Sequence, residues 1–120
     1  MNKEIIILGS TGSIGTTTLS VIKKDNFKIR LLSSHKNAKK LLNQAILFKV
    51  RDVIIEDEAQ YRKYKILFNK NKIRIHLGLS NLKKILKKKF LKKKINYCIN
   101  SITGIDGLIP TLDIIPITRN

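Results

Sequence analysis

The sequence predicts an α/β fold, a Rossmann-like doubly wound parallel sheet, and three observations carry that expectation. Short apolar runs alternate with longer stretches in which apolar residues recur every three or four positions, the pattern of βαβ units. Several of the runs are apolar throughout, as strands must be when helices cover both faces of a sheet. The first run opens directly onto a glycine-punctuated turn, Gly9-Ser10-Thr11-Gly12-Ser13-Ile14-Gly15, and then a helical stretch. At 120 residues with no linker, residues 1–120 read as a single domain.

The elements follow in order. Strands are expected from Glu4 to Leu8, Lys28 to Ser33, Asp52 to Ile55, Ile73 to His76 and Ile95 to Asn100. The first helix runs through Leu19, Val21 and Ile22. Ala38, Leu41, Leu42, Ala45 and Phe48 fall on one face of a second, and Glu58 to about Asn69 forms a third, more weakly patterned one. In the run from Lys83 to Lys94 the residues Leu82, Ile85, Leu86 and Phe90 share a stripe with lysines around it, which reads as a surface helix. Gly104-Ile105-Asp106-Gly107 punctuates the end of the fifth strand, and Leu108 to Ile115 reads as the start of another helix cut off by Pro116. The chain therefore stops where a further strand is due, and the sheet is expected to be incomplete at its carboxyl end.

Composition narrows the functional classes. A hydrophobic share of 42% excludes a disordered chain, and no apolar run approaches the ~18 residues of a membrane span. The amino terminus lacks the apolar stretch of an export signal, and the single cysteine, Cys98, fits a reducing compartment, so the expected location is cytoplasmic. The formal charge of +17 raises a nucleic-acid-binding module on the lysine-rich run as an alternative. Against it, only 5 of the 25 cations are arginine and no aromatic platform accompanies them, and Lys, Ile and Asn are the residues of A/T-rich codons.

The glycine loop is the most informative segment. GxxGxxG is a relative of the dinucleotide fingerprint, in which the glycines make a tight turn, let backbone approach pyrophosphate and pack helix on sheet. Backbone N–H groups at the helix start then receive phosphates, with Thr11 and Ser13 offering hydroxyls. A site for NAD places Asp or Glu roughly twenty residues on, at the end of the second strand. Here that place holds Ser33-Ser34-His35-Lys36-Asn37, a cationic cluster suited to the 2′-phosphate of NADP. The alternative is that Lys36 and Asn37 only open the second helix.

Other candidates carry less. Tyr61 and Lys65 have the Tyr-x-x-x-Lys spacing of short-chain dehydrogenases but lie too early in the fold for that role. Cys98 sits in an apolar strand, where a buried thiol is inert. His35 and His76 have no partners at metal-ligand spacing, and Glu56-Asp57-Glu58 suits a helix N-terminus better than a metal ion. No metal ligand and no catalytic residue is assigned.

Taken together, Ile7-Leu8-Gly9-Ser10-Thr11-Gly12-Ser13-Ile14-Gly15 with Thr18-Leu19 closely resembles the opening of the 1-deoxy-D-xylulose 5-phosphate reductoisomerase family. Gly104-Ile105-Asp106-Gly107-Leu108-Ile109-Pro110-Thr111-Leu112 resembles that family's Val-Gly-x-x-Gly-Leu-x-Pro-Thr segment, which argues against the other alternative, another NADP-linked dehydrogenase with a GxxGxxG loop. The resemblance implies an NADPH-binding domain, with Gly9, Thr11, Gly12, Ser13 and Ile14 lining the pyrophosphate, and His35, Lys36 and Asn37 the 2′-phosphate. His35 stands where the family usually has glycine. The family's activity is the NADPH-dependent rearrangement and reduction of a sugar phosphate to 2-C-methyl-D-erythritol 4-phosphate on Mg²⁺ or Mn²⁺, in isoprenoid biosynthesis, by a homodimer. Its metal ligands and substrate site lie beyond the matched region, so the resemblance makes this chain a fragment or the product of a shortened gene, inactive by itself.

Overall fold

The chain folds around three consecutive isoleucines, Ile5, Ile6 and Ile7, none of which exposes any surface. In a strand, neighbours point to opposite faces, so burial of all three requires cover on both sides of the sheet. In the computed structural model, which describes residues 3–22, 27–82, 84–85, 97–101 and 113–115, that cover is present. The elements are β1 (Lys3–Leu8), α1 (Ser13–Ile22), β2 (Phe27–Ser34), α2 (Ala38–Phe48), β3 (Asp52–Ile55), α3 (Glu58–Lys70), β4 (Arg74–Leu77), a short 3₁₀ turn (Leu79–Asn81), β5 (Tyr97–Asn100) and β6 (Asp113–Ile115).

The sheet has the order β4-β3-β2-β1-β5-β6. β1 to β5 pair in parallel, and β6 runs antiparallel to β5. Successive right-handed crossovers in one direction place α1, α2 and α3 on the same face. Leu19, Leu41, Ala45 and Phe68 accordingly pack with Ile5, Ile7, Leu32 and Val53. β5 lies on the other side of β1, so the direction of the sheet's growth reverses after β4, and the described residues that follow β4 lie on the other face. There Leu79, Leu82 and Ile85 cover Ile6, Leu8, Leu31 and Ile54. Each fully buried Leu or Ile contributes about 1.5–3 kcal/mol, so these two layers supply most of the driving force for the fold.

The five expected strands and the first three expected helices are found among the described residues, with described ends moved by one or two residues. The exception is the carboxyl end, where residues 113–115 form a strand rather than a helix. Two β-branched isoleucines precede Pro116, which disfavours helical backbone at Ile115, and the outer edge of β5 offers free pairing partners. Residues 102–112, which carry the Gly104 to Leu112 segment, lie outside the described residues, as does most of the lysine-rich run.

The edge strand β4 is tied to β3 by charge. Arg74 donates to both oxygens of Asp52, Nε at 2.9 Å and Nη2 at 3.0 Å, and His76 Nε2 lies 3.3 Å from Oδ1. Burial pushes the Asp52 carboxyl upward, but hydrogen bonds from His76 and Arg74, with the charge of the guanidinium, outweigh it and hold the group at about 2 instead of 3.8. A depressed carboxyl pKa stabilises the fold above the unfolded value and loses that contribution as pH falls through the folded value. Asp52→Asn should therefore cost about 2 kcal/mol near neutral pH, a gap that closes between pH ~4 and ~2. Denaturant unfolding of both proteins across that range checks it; a gap independent of pH contradicts it.

Candidate functional site

At the carboxyl end of β1 the three glycines of the loop do three different things. Gly9 has φ 76°, a left-handed conformation in which a side chain is strained, and it turns the chain sharply out of the strand. Gly15 lies inside α1 against that turn: a Cβ there would stand 2.2 Å from the Gly9 carbonyl oxygen and 2.6 Å from the Ser10 Cα. Gly12 is exposed, and a Cβ on it would meet only the Gly9 oxygen, at 3.7 Å. The first glycine bends, the last packs, and the middle one leaves the space above the loop open.

That space faces the start of α1. The first helical bond of the loop runs from the Thr16 N–H to the Gly12 carbonyl, 2.8 Å, so the N–H groups of the first turn before it have no acceptor within the helix. No acidic side chain sits in this first turn. The positive end of the helix dipole is thus left for an anion to neutralise. Ser13 is exposed and Ile14 half-buried beside it. The hydroxyls of Thr16, Thr17 and Thr18 turn back to the carbonyls of Gly12, Ser13 and Ile14 at 2.7–2.9 Å.

The loop is fastened from both sides. Ser10 N donates to the Ser33 carbonyl at 2.8 Å, and Gly9 N to Ser33 Oγ at 2.9 Å. Thr11 Oγ1 pairs with Ser34 Oγ at 2.7 Å, which in turn accepts from Asn37 N at 3.1 Å. On the β5 side Ser101 Oγ donates to the carbonyls of Leu8, 2.7 Å, and Gly9, 3.1 Å. The strand order reverses between β1 and β5, and in open α/β sheets ligands bind at such a switch point, outside the carboxyl ends of the strands.

The second loop, after β2, is brought alongside the first by this chain of hydroxyls. Ser33 and Ser34 are buried and serve the framework, whereas His35, Lys36 and Asn37 are exposed. The Asn37 side-chain oxygen caps α2 by accepting from Lys40 N at 3.2 Å, so one part of this residue opens the helix as the plainer sequence reading has it. Among the described residues outside glycine only Lys49 and Lys72 have positive φ, so His35 occupies its position without left-handed strain. Lys36, Asn37 and Lys39 face Asp57, Gln60 and Tyr64 of the β3–α3 side across a depression of about 440 Å³. Two lysines against the one carboxylate of Asp57 leave the depression net positive, which suits a phosphate.

The lesser candidates resolve into structure. Asp57 caps α3 by accepting from Gln60 N at 3.0 Å, Glu58 pairs with Arg62 one turn on, and Glu56 accepts from Leu79 N at 3.2 Å. Lys65 lies over the Tyr61 ring, 5.4 Å from its centre, which is a cation–π contact. Burial pushes the Cys98 thiol up to about 11, far from a nucleophile's range. Among the described residues no three His, Cys, Asp or Glu side chains converge, so no step through Mg²⁺ or Mn²⁺ is derived for them. Sequence reasoning missed Ser10, Gln44 and Ser101. All three are buried and polar; only Gln44, among Leu41, Leu42 and Ala45, stood out in sequence as a polar residue on an apolar helix face.

A parallel sheet with a glycine loop and a free helix N-terminus at its switch point defines the Rossmann-like dinucleotide-binding class of domain. A model of the family described as 1-deoxy-D-xylulose 5-phosphate reductoisomerase matches residues 5–120, and the chain belongs to that family. Relatives of that name from Pelagibacter ubique and Clostridium acetobutylicum are 44% and 37% identical over 119 and 117 residues. These alignments take in 98% and 94% of this chain but 30% and 29% of the relatives, so the chain spans about a third of their length. In fold it is similar to the reductoisomerase of Zymomonas mobilis solved in complex with NADPH, with a TM-score of 0.73 and 22% identity over 89% of this chain and 27% of that one. A second such structure, in complex with NADPH, fosmidomycin and magnesium, gives 0.72 and 24%, covering 88% of this chain and 26% of that chain.

Proposed function

We propose that residues 1–120 form the NADPH-binding domain of a 1-deoxy-D-xylulose 5-phosphate reductoisomerase, serving the reduction of a sugar phosphate to 2-C-methyl-D-erythritol 4-phosphate. The observation that carries this is the exposed Gly12 at the start of α1, where the space a side chain would fill lies beside first-turn N–H groups that have no acceptor within the helix. In this reading Gly9, Thr11, Gly12, Ser13 and Ile14 hold the pyrophosphate: the backbone supplies the donors, and Ser13 adds a hydroxyl. Thr11 acts mainly by keeping the loop in place through Ser34. His35, Lys36 and Asn37 take the 2′-phosphate, with Lys39 adding charge from the same side of the depression. NADPH, when bound, supplies hydride.

The same reading places the protein in the cytoplasm, as a homodimer, with the metal ligands and substrate groups supplied by sequence outside this region. No helix among the described residues is long and apolar enough to cross a membrane.

Calorimetric titration tests the proposal. NADPH should bind and raise the melting temperature, and NADH should bind more weakly, by about ten- to a hundredfold for one charge-assisted bond. Lys36→Glu should reverse that preference by setting a carboxylate against the 2′-phosphate; an unchanged ratio of dissociation constants removes Lys36 from the site. Absence of NADPH binding, together with oligonucleotide binding that persists at physiological salt, contradicts the cofactor reading and favours the basic-module alternative.

A further inference from the structure

We propose that Gln44 is a positioning residue for the nucleotide phosphates, holding the glycine loop from behind in its anion-receiving shape. The proposal rests on the reading that this loop receives pyrophosphate. Gln44 stands on α2 among Leu41, Leu42 and Ala45, and is 8% exposed, at a place where an aliphatic side chain would satisfy packing alone. Its carboxamide instead spends both polar ends on one residue. Oε1 accepts from Ser10 Oγ at 2.7 Å, and Nε2 donates to the Ser10 carbonyl at 2.9 Å.

Ser10 is fully buried and sits between the left-handed Gly9 and Thr11. Two bonds of opposite polarity to the same residue fix the rotation of its peptide as well as its position, which a single bond does not. Ser10 Oγ also lies 3.3 Å from the Ser33 carbonyl, so the clamp closes on β2. Without Gln44 a buried carbonyl would lose its donor, and the cheapest remedy is for the loop peptide to turn toward water. Turning that peptide would disturb the loop on which the first-turn N–H groups of α1 depend. α2 also carries Lys36 and Asn37 at its start, so the clamp joins the two phosphate-facing loops into one body.

Two variants test this. Gln44→Leu keeps the volume and removes both bonds. Hydrogen exchange of the ligand-free protein should quicken about tenfold or more at the hydrogen-bonded loop amides of Ser10, Gly12 and Thr16, while those of β3 and α3 stay as they are. NADPH and NADH should both weaken by the same factor of about ten or more, in contrast to Lys36→Glu, which alters their ratio. In Gln44→Glu the protonated carboxyl can reproduce both bonds and the carboxylate cannot. The parent-to-variant ratio of NADP⁺ affinities should therefore be close to one near pH 5 and rise about tenfold by pH 8, burial favouring the neutral acid at the lower pH. Unchanged loop exchange in Gln44→Leu, or lost stability with unaltered affinity, overturns the proposal. Should Gln44→Leu fail to fold, the pH profile of Gln44→Glu decides, a flat ratio counting against the clamp. Should the parent protein bind no NADPH, the cofactor reading falls, and the exchange experiment still judges the clamp.

Discussion

Gly12→Asp should abolish NADPH binding in a protein that melts no lower than its parent. The two halves of this result come from the same place in the structure. Gly12 immediately precedes α1, has no left-handed φ to preserve, and offers a Cβ open space to within 3.7 Å. An aspartate there is at a helix N-cap, where its oxygen accepts from first-turn N–H groups and its charge faces the positive end of the dipole; relative to glycine the gain is a few tenths of a kcal/mol. Those N–H groups are the ones a pyrophosphate would use. A carboxylate about 4 Å from a phosphate charge, at an effective dielectric of about 20, opposes binding by about 4 kcal/mol, or about a thousandfold. Calorimetry paired with thermal unfolding separates the two halves. Unaltered affinity would remove the loop from the cofactor site.

Gly15→Ala should do the reverse, lowering stability before it touches the ligand. The added Cβ would lie at 2.2 Å from the Gly9 oxygen and at 2.6 and 2.8 Å from Ser10 backbone atoms, none of which is the end of a flexible side chain. α1 must therefore shift away from the turn. Overpacking of this kind costs about 1–3 kcal/mol or more, and contacts this close belong at the upper end. Alanine's better helix propensity returns about 1 kcal/mol of that. A net loss of about 2 kcal/mol lowers the melting temperature of a domain this size by about 10 °C. A melting temperature within a degree or two of the parent's would show that α1 does not seat on the turn as described.

These opposite outcomes for two glycines of one motif show what was legible beforehand. The spacing announces a loop that turns, admits and packs; the structure gives Gly9 the turn and Gly15 the packing, and leaves open space at Gly12, because those demands follow from strand, turn and helix geometry alone. The five parallel strands were legible for a similar reason: runs such as Ile5-Ile6-Ile7 and Val53-Ile54-Ile55 have no polar side to show to water. The polar fastening of the site was not legible. Ser33 and Ser34 look like ligand groups in sequence but turn inward to serve Gly9, Ser10 and Thr11. Ser101 reaches back to the carbonyls of Leu8 and Gly9 from more than ninety residues away. Such bonds depend on strand register, which no local pattern encodes. The strand at residues 113–115 escaped for a related reason, since its pairing partner, and not its own composition, decides its conformation.

In a lysine-rich chain a single cation at a loop tip is ordinarily a solvated surface residue. The fastening of the Lys36 loop to the glycine turn through Thr11, Ser34 and Asn37 is what sets Lys36 apart from the other surface lysines.

The most direct test of the central claim is an amide-resolved NMR titration of this chain with NADPH. The N–H resonances of Ser13, Ile14 and Gly15 should move together and saturate, with the Lys36 amide following for NADPH and much less for NADH. Saturation of the cofactor with those three amides unmoved, or with shifts confined to the ends of α2 and α3 remote from the loop, would contradict it.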